Sequence, residues 1–291
     1  MQVVLHAGAH LTDEDLLVRC LNDNRQMLAD HGTLAPHPTT YRKLIRDMLQ
    51  DIQKGAALAK ARDTLFNAIE VDATTNRLIL SNPGFFGTPK MAASAGILYS
   101  AAEERLAALD NIFSGAELEL HIAIRNPATF LPAIFRQTQV SSFSELMRGK
   151  SPETVRWSEM VARVRTAFPD MPITLWCNED TPLIWAEIVR ELAGLDPTTA
   201  FDGEFLLLST IMSEAGMKRF HTYLESHPGM TEVQKRRVIA AFLDKFAEED
   251  AIEEELDLPG WTNDLVDRLS DLYDEDLYQL QRIPGVQVIT P

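Results

Sequence analysis

Five short apolar stretches punctuate the chain, and between them the apolar residues recur at helical spacing. The first is Gln2-Val3-Val4-Leu5-His6, which breaks at Ala7-Gly8-Ala9-His10-Leu11-Thr12 and gives way to Asp13-Glu14-Asp15-Leu16. A β-branched run ended by a glycine suits a buried central strand. The sequence then reads as a tight loop and a helix from Asp13 to about Asp30, capped by Thr12 or Asp13, with Leu16, Leu17, Cys20, Leu21 and Leu28 on its inner face. His31-Gly32 supplies a stop signal, and Thr33 to Pro38 reads as a loop.

Further along, Arg77-Leu78-Ile79-Leu80 reads as a second strand, Glu117 to Ile124 as a third, Pro172 to Cys177 as a fourth and Gly285 to Thr290 as a short last one. Helical spacing covers Thr39 to about Ile69, Ala92 to Leu109, Thr129 to Gln139, Glu153 to Phe168 and Ile184 to Leu192. It continues through Phe201 to Leu224, Thr231 to Ala247 and Trp261 to Gln281. Strands alternating with helices, and too apolar for a sheet wet on one face, predict an α/β fold with a parallel sheet flanked by helices on both faces. One domain over 1–291 is expected, with a helical insertion around 33–70 and a helical C-terminal part around 201–281.

The chain has 291 residues, 45% of them hydrophobic, enough for a full core. The formal charge of −16 argues against nucleic acid and anionic lipid as partners, because basic patches hold both. No apolar run approaches membrane-spanning length and the start lacks the basic flank of a secretory signal, so a cytoplasmic location is expected. Cys20 and Cys177 lack metal spacing and read as buried thiols. The four tryptophans are scattered and read as core. Lys43, Arg46, Lys54, Lys60 and Arg62 read as a solvated basic helix face, and the acidic run from Glu248 to Asp257 as solvated surface.

The candidate chemistry sits where strands end. His10, in the first loop, suits a hydrogen-bond donor or base near neutrality, or equally a structural histidine bonding the loop backbone. Arg125, opening Arg125-Asn126-Pro127 after the third strand, can grip a phosphate or carboxylate bidentately, or serve an internal salt bridge. Asp13 and Asp15, with Glu14 between them, could join Glu179 and Asp180 in a divalent-cation site if their two strands are neighbours; otherwise they are helix-capping carboxylates. The loop Ser81 to Gly87, with Phe85 and Phe86, reads as a cover for a ligand or as an apolar plug. Nucleophile elbow, zinc-protease, paired-cysteine and complete Walker lysine motifs are absent from the sequence.

The loop at Gly8, His10 and Thr12 and the run Arg125-Asn126-Pro127 resemble the sulfotransferase branch of the P-loop nucleotide-binding proteins. The resemblance implies a P-loop-like three-layer sandwich and a donor, 3′-phosphoadenosine-5′-phosphosulfate, held by Gly8, Ala9, His10, Thr12 and Arg125. It also implies sulfuryl transfer to a hydroxyl or amine on a small or carbohydrate-like acceptor, with His10 as the catalytic candidate. The sequence departs from the family pattern where it matters for anions. Leu11 stands at the lysine position, Asp13-Glu14-Asp15 at the Gly-Thr-Thr positions and Ala133 at the serine position. A non-catalytic protein that keeps the fold for binding is therefore the alternative expectation.

Overall fold

The computed structural model describes residues 1–53, 59–252 and 256–291. Among these residues six parallel strands form one sheet: β1 (Gln2–His6), β2 (Thr33–Leu34), β3 (Arg77–Ser81), β4 (Glu117–Ile124), β5 (Ile173–Cys177) and β6 (Val286–Ile289), in the spatial order β2-β3-β1-β4-β5-β6. β1 is interior, in register with β3 through Leu5 and Leu80 and with β4 through Leu5 and Leu120.

The helices of the first half are α1 (Leu16–Asp23), α2 (Arg25–Asp30), α3 (Pro38–Gln53), α4 (Ala59–Ala68), α5 (Pro89–Ala92), α6 (Ala102–Ile112) and α7 (Pro127–Arg136). Those of the second half are α8 (Phe143–Met147), α9 (Trp157–Ala167), α10 (Thr181–Ala193), α11 (Leu208–Ile211), α12 (Glu214–Ser226), α13 (Glu232–Phe246), α14 (Glu249–Ile252) and α15 (Asn263–Leu280). The pleat divides them between two faces. Val3, Leu5, Leu78, Leu80, Leu120 and Ile122 meet α3, α4, α6, α7, α9 and α15 in the larger core. Val4, Ile79, Ala123 and Trp176 meet α1, α2 and α10 in the other. This is the expected sheet covered on both faces.

From α3 and α4, Tyr41, Ile45 and Leu65 are fully buried in the larger core. The C-terminal helices add a small cluster around Leu208, Phe220 and Ile239. Asn24 ties this part to the sheet domain. Its amide donates to the Asp202 carbonyl at 2.7 Å and accepts from the Asp202 N–H at 2.8 Å. Among the described residues no helix is long and apolar enough to cross a membrane.

Several local expectations are corrected. The first helix is two, joined at Asn24, whose side chain is committed to Asp202. The loop after Gly32 contains β2, an edge strand of two residues, too short to show a period. Helix does not run through 92–101. Ala95 and Tyr99 have φ of +58° and +44°, and the turn delivers the Tyr99 phenol, fully buried, to His10. The segment 201–224 breaks at Met212, which bridges Ala247, and Ser213 caps α12 afresh. Lys54, the side chain of Lys60 and Glu253 to Glu255 lie outside the described residues.

Both cysteines are buried free thiols, pushed up to about 12 by burial. Trp157, Trp176 and Trp185 are core residues and Trp261 packs partly buried against the core. Phe85 and Phe86 are fully buried, Phe86 edge-on to Tyr99. They plug the larger core.

Candidate functional site

From β1 the chain leaves for β2 and returns to β3 on one side, whereas from β4 it leaves for β5 and β6 on the other. The carboxyl ends of β1 and β4 therefore bound the crevice where parallel sheets bind ligands. The two stretches singled out in the sequence meet here. Arg125 Nη1 donates to the Leu11 carbonyl at 2.7 Å, and its Nε to the Thr129 hydroxyl at 3.1 Å. Arg125 is 7% exposed, and its own carbonyl accepts from the Trp157 indole at 2.8 Å. The guanidinium thus holds the turn shut.

The turn itself follows the sheet before it curls. Ala7 N–H donates to the His121 carbonyl, Ala9 N–H to that of Ala123, and Ala123 N–H to that of Gly8, at 2.9, 2.7 and 2.5 Å. Thr12 closes it by donating to the Ala9 carbonyl at 2.9 Å. Gly8 sits at φ +90°, where a Cβ would lie 3.0 Å from the His10 nitrogen and 3.3 Å from Pro83. Gly8→Ala is expected to cost about 1–3 kcal/mol through the left-handed backbone and this crowding. Urea unfolding checks this; an unchanged midpoint would contradict it.

His10 is locked. Its backbone N–H donates to the Tyr99 oxygen at 3.0 Å, so the Tyr99 proton is free to go to His10 Nδ1, 2.8 Å away. That leaves Nε2 protonated. Burial holds the imidazole down to about 4, opposed by a backbone hydrogen bond with Gly87. At neutral pH His10 is an uncharged post inside the loop, 8% exposed. Neither sequence reading of His10 named Tyr99, the residue that holds its ring.

The acidic triplet is dispersed. Asp13 caps α1, its carboxylate accepting from the Leu17 N–H at 3.2 Å, while the Leu16 N–H donates to the Asp13 carbonyl at 2.7 Å. A negative group thus already occupies the place at the helix start where an anion would bind. Asp15 is paired with Arg42, Oδ2 to Nη1 at 2.8 Å, and the guanidinium bonds hold its carboxyl below the usual range although burial opposes them. Leu11, Glu14 and Asp15 have φ of +60°, +46° and +68°, so this turn is strained at three side-chain-bearing residues.

Glu179 and Asp180 follow β5, which β4 separates from β1, so the adjacency required for a shared cation site does not hold. Glu179 accepts from the Asn126 N–H at 2.8 Å and from the Tyr273 hydroxyl at 3.3 Å; burial raises its carboxyl. Burial likewise raises Asp180. Among the described residues no group of three His, Cys, Asp or Glu side chains converges to hold a metal.

Sequence reasoning missed a polar row under α1 and α10. Ser81, His6, His121 and Thr174 lie side by side across β3, β1, β4 and β5. His6 Nδ1 is 2.9 Å from the Ser81 hydroxyl, and the ring stacks on Trp176 with centroids 5.7 Å apart. His6 Nε2 and His121 Nδ1 are buried without a hydrogen-bond partner among the described residues. The signal was present in the alternation of Glu119, His121 and Ala123, but alternation ordinarily means a wet face.

No family model, no curated protein and no solved structure matches this chain.

Proposed function

We propose that this chain is a sulfotransferase-like protein of the P-loop fold that acts by binding and no longer transfers a sulfuryl group. One observation carries the reading: the start of α1 is sealed by the chain's own groups, with the Asp13 carboxylate on the Leu17 N–H and the Leu11 carbonyl on Arg125. A phosphosulfate placed there would face Asp13 at contact distance with no lysine beside it, and like charges at such range repel by about 4 kcal/mol at an effective dielectric of 20. The kinship is supported by the interior position of β1 and by the meeting of the first turn with Arg125 at one rim.

Calorimetric titration with 3′-phosphoadenosine-5′-phosphate is expected to give no heat at millimolar nucleotide. Leu11→Lys with Asp13→Gly restores a cation and opens the helix start, and this variant is expected to bind the nucleotide. Heat from the unaltered chain that is lost in Arg125→Gln would overturn the binding-only reading in favour of a donor site and transfer to a hydroxyl or amine acceptor.

A further inference from the structure

Beside the sealed turn, a groove of about 690 Å³ opens between α1 and α3. That volume falls in the range of about 300–1,000 Å³ that holds small ligands. Val18, Arg19 and Asp23 line it from α1, and His37, Arg42 and Lys43 from the start of α3, with Asp15 at one end. It lies at the same carboxyl rim as the turn. Asp15 directly precedes α1, and Arg42 Nε donates to the carbonyl of Ser81, the last residue of β3, at 2.8 Å.

The charges around it are unequal in their commitments. Arg42 is spent on Asp15 and on Ser81, which makes it a fixed wall. Arg19 and Lys43 are exposed on the two facing helices, and neither side chain has a hydrogen bond or ion pair among the described residues. Two uncommitted cations across a walled hollow are notable in a chain of net charge −16. The general field repels anions, but salt screens it within about 8 Å, so local cations decide what is held. The opposing carboxylate is Asp23, since Asp15 is neutralised by Arg42. Asn22 and Thr39 add neutral polar groups, and buried Val18 and Pro38 give the floor an apolar patch.

Each part selects a feature of the ligand. Arg19 and Lys43 take one tetrahedral oxyanion. Asp23 and Thr39 take hydroxyl groups, and Asp23 repels a second anionic group, which disfavours polyphosphates. Val18 and Pro38 take the C–H face of a ring. We propose that this groove binds a hydroxylated small molecule carrying a single phosphate or sulfate ester, a sugar monoester being the simplest fit, with the ester between Arg19 and Lys43.

The probes are glucose 6-phosphate, glucose 6-sulfate, glucose and adenosine triphosphate, titrated calorimetrically into the full chain. At least one monoester is expected to bind one to one, about tenfold or more tighter than glucose and than the triphosphate. Preference between the two monoesters identifies phosphate or sulfate as the group recognised. Arg19→Glu with Lys43→Glu should abolish the heat while lowering the melting temperature by no more than about 4 °C, because neither side chain has a partner to lose among the described residues and the new like charges beside Asp15 and Asp23 are exposed. Absence of heat from both monoesters at millimolar concentration, binding that survives the charge reversal, or equal binding of the triphosphate would each overturn the proposal. The charge reversal leaves the first turn intact, so nucleotide binding that persists in it belongs to the turn and bears on the previous reading alone.

Discussion

Replacing Arg77 with methionine is expected to lower stability by about 3–5 kcal/mol, the loss typical of a buried ion pair deprived of one partner. Arg77 and Glu119 form a bidentate pair across β3 and β4, with contacts of 2.7 and 3.1 Å and side chains only 11% and 16% exposed. The same guanidinium donates to Gln2 at 2.8 Å and to the carbonyls of Leu192 and Glu191 at 2.9 and 3.2 Å. Those carbonyls belong to the last turn of α10, where a helix leaves acceptors unpaired and its dipole favours a cation. Thr33 supplies another donor there, to the Ala193 carbonyl at 3.1 Å. Packing is equally close, because a Cβ on Gly194 would lie 2.9 Å from Arg77 Cδ. Arg77→Met therefore strands Glu119 beside His121 and also uncaps α10. Adding Glu119→Gln should restore part of the loss, since the buried charge is then gone. Urea unfolding at neutral pH, with an unchanged dependence on denaturant, measures both. A loss below about 1 kcal/mol for Arg77→Met would refute the role given to this pair.

The sheet was legible because its strands bury both faces, and continuous apolar runs such as Val3 to Leu5 and Leu78 to Leu80 leave few alternatives. The meeting of Arg125 with the Gly8 to Thr12 turn was also legible, since both end interior strands and such ends share one rim. The partners were not. Asp13, Glu14 and Asp15 look alike in the sequence, yet Asp13 caps its own helix and Asp15 reaches Arg42 on α3. Only the crossover that lays α3 beside the first turn decides this. Tyr99 illustrates the same limit from the other side. Its neighbours have helical spacing, but one buried hydroxyl bond to His10 outweighs local propensity, which differs among ordinary residues by only about 0.7 kcal/mol. Arg19 and Lys43 escaped notice as a pair for a related reason, being on helices that adjoin only in space.

Acidification from pH 7.5 to 5 is expected to destabilise the protein well before its ordinary carboxylates protonate. His6, His10 and His121 are all held below the usual histidine range, in each case chiefly by burial. Around His6 the Asp13 and Asp15 carboxylates oppose that shift, while His121 and Arg42 reinforce it. Around His121, Glu119 and Glu191 oppose it and Arg77 reinforces it. A histidine kept neutral in the folded state takes up its proton more readily when unfolded. Stability is therefore complete above the unfolded value of 6.5 and falls as pH drops below it toward the folded value. For His10, held at about 4, the loss amounts to about 2 kcal/mol by pH 5. His6 and His121 add to it in the same direction, and their unpartnered nitrogens mean that protonation would place two charges side by side in a dry row. Glu119 acts lower down. Burial would raise it, but its bonds to His121 and Arg77 bring it to about 2, so its contribution is lost only as pH falls below 4.5. Glu179 and Asp180, raised by burial, work against the trend because the folded state protonates them first. Unfolding midpoints at pH 7.5, 6 and 5 test the balance, and His10→Asn should flatten the profile because the Tyr99 bond survives while the titrating group is gone. A pH profile that His10→Asn leaves unchanged would mean that this imidazole is not held neutral by the fold, and the locked His10 on which the sealed turn depends would have to be abandoned.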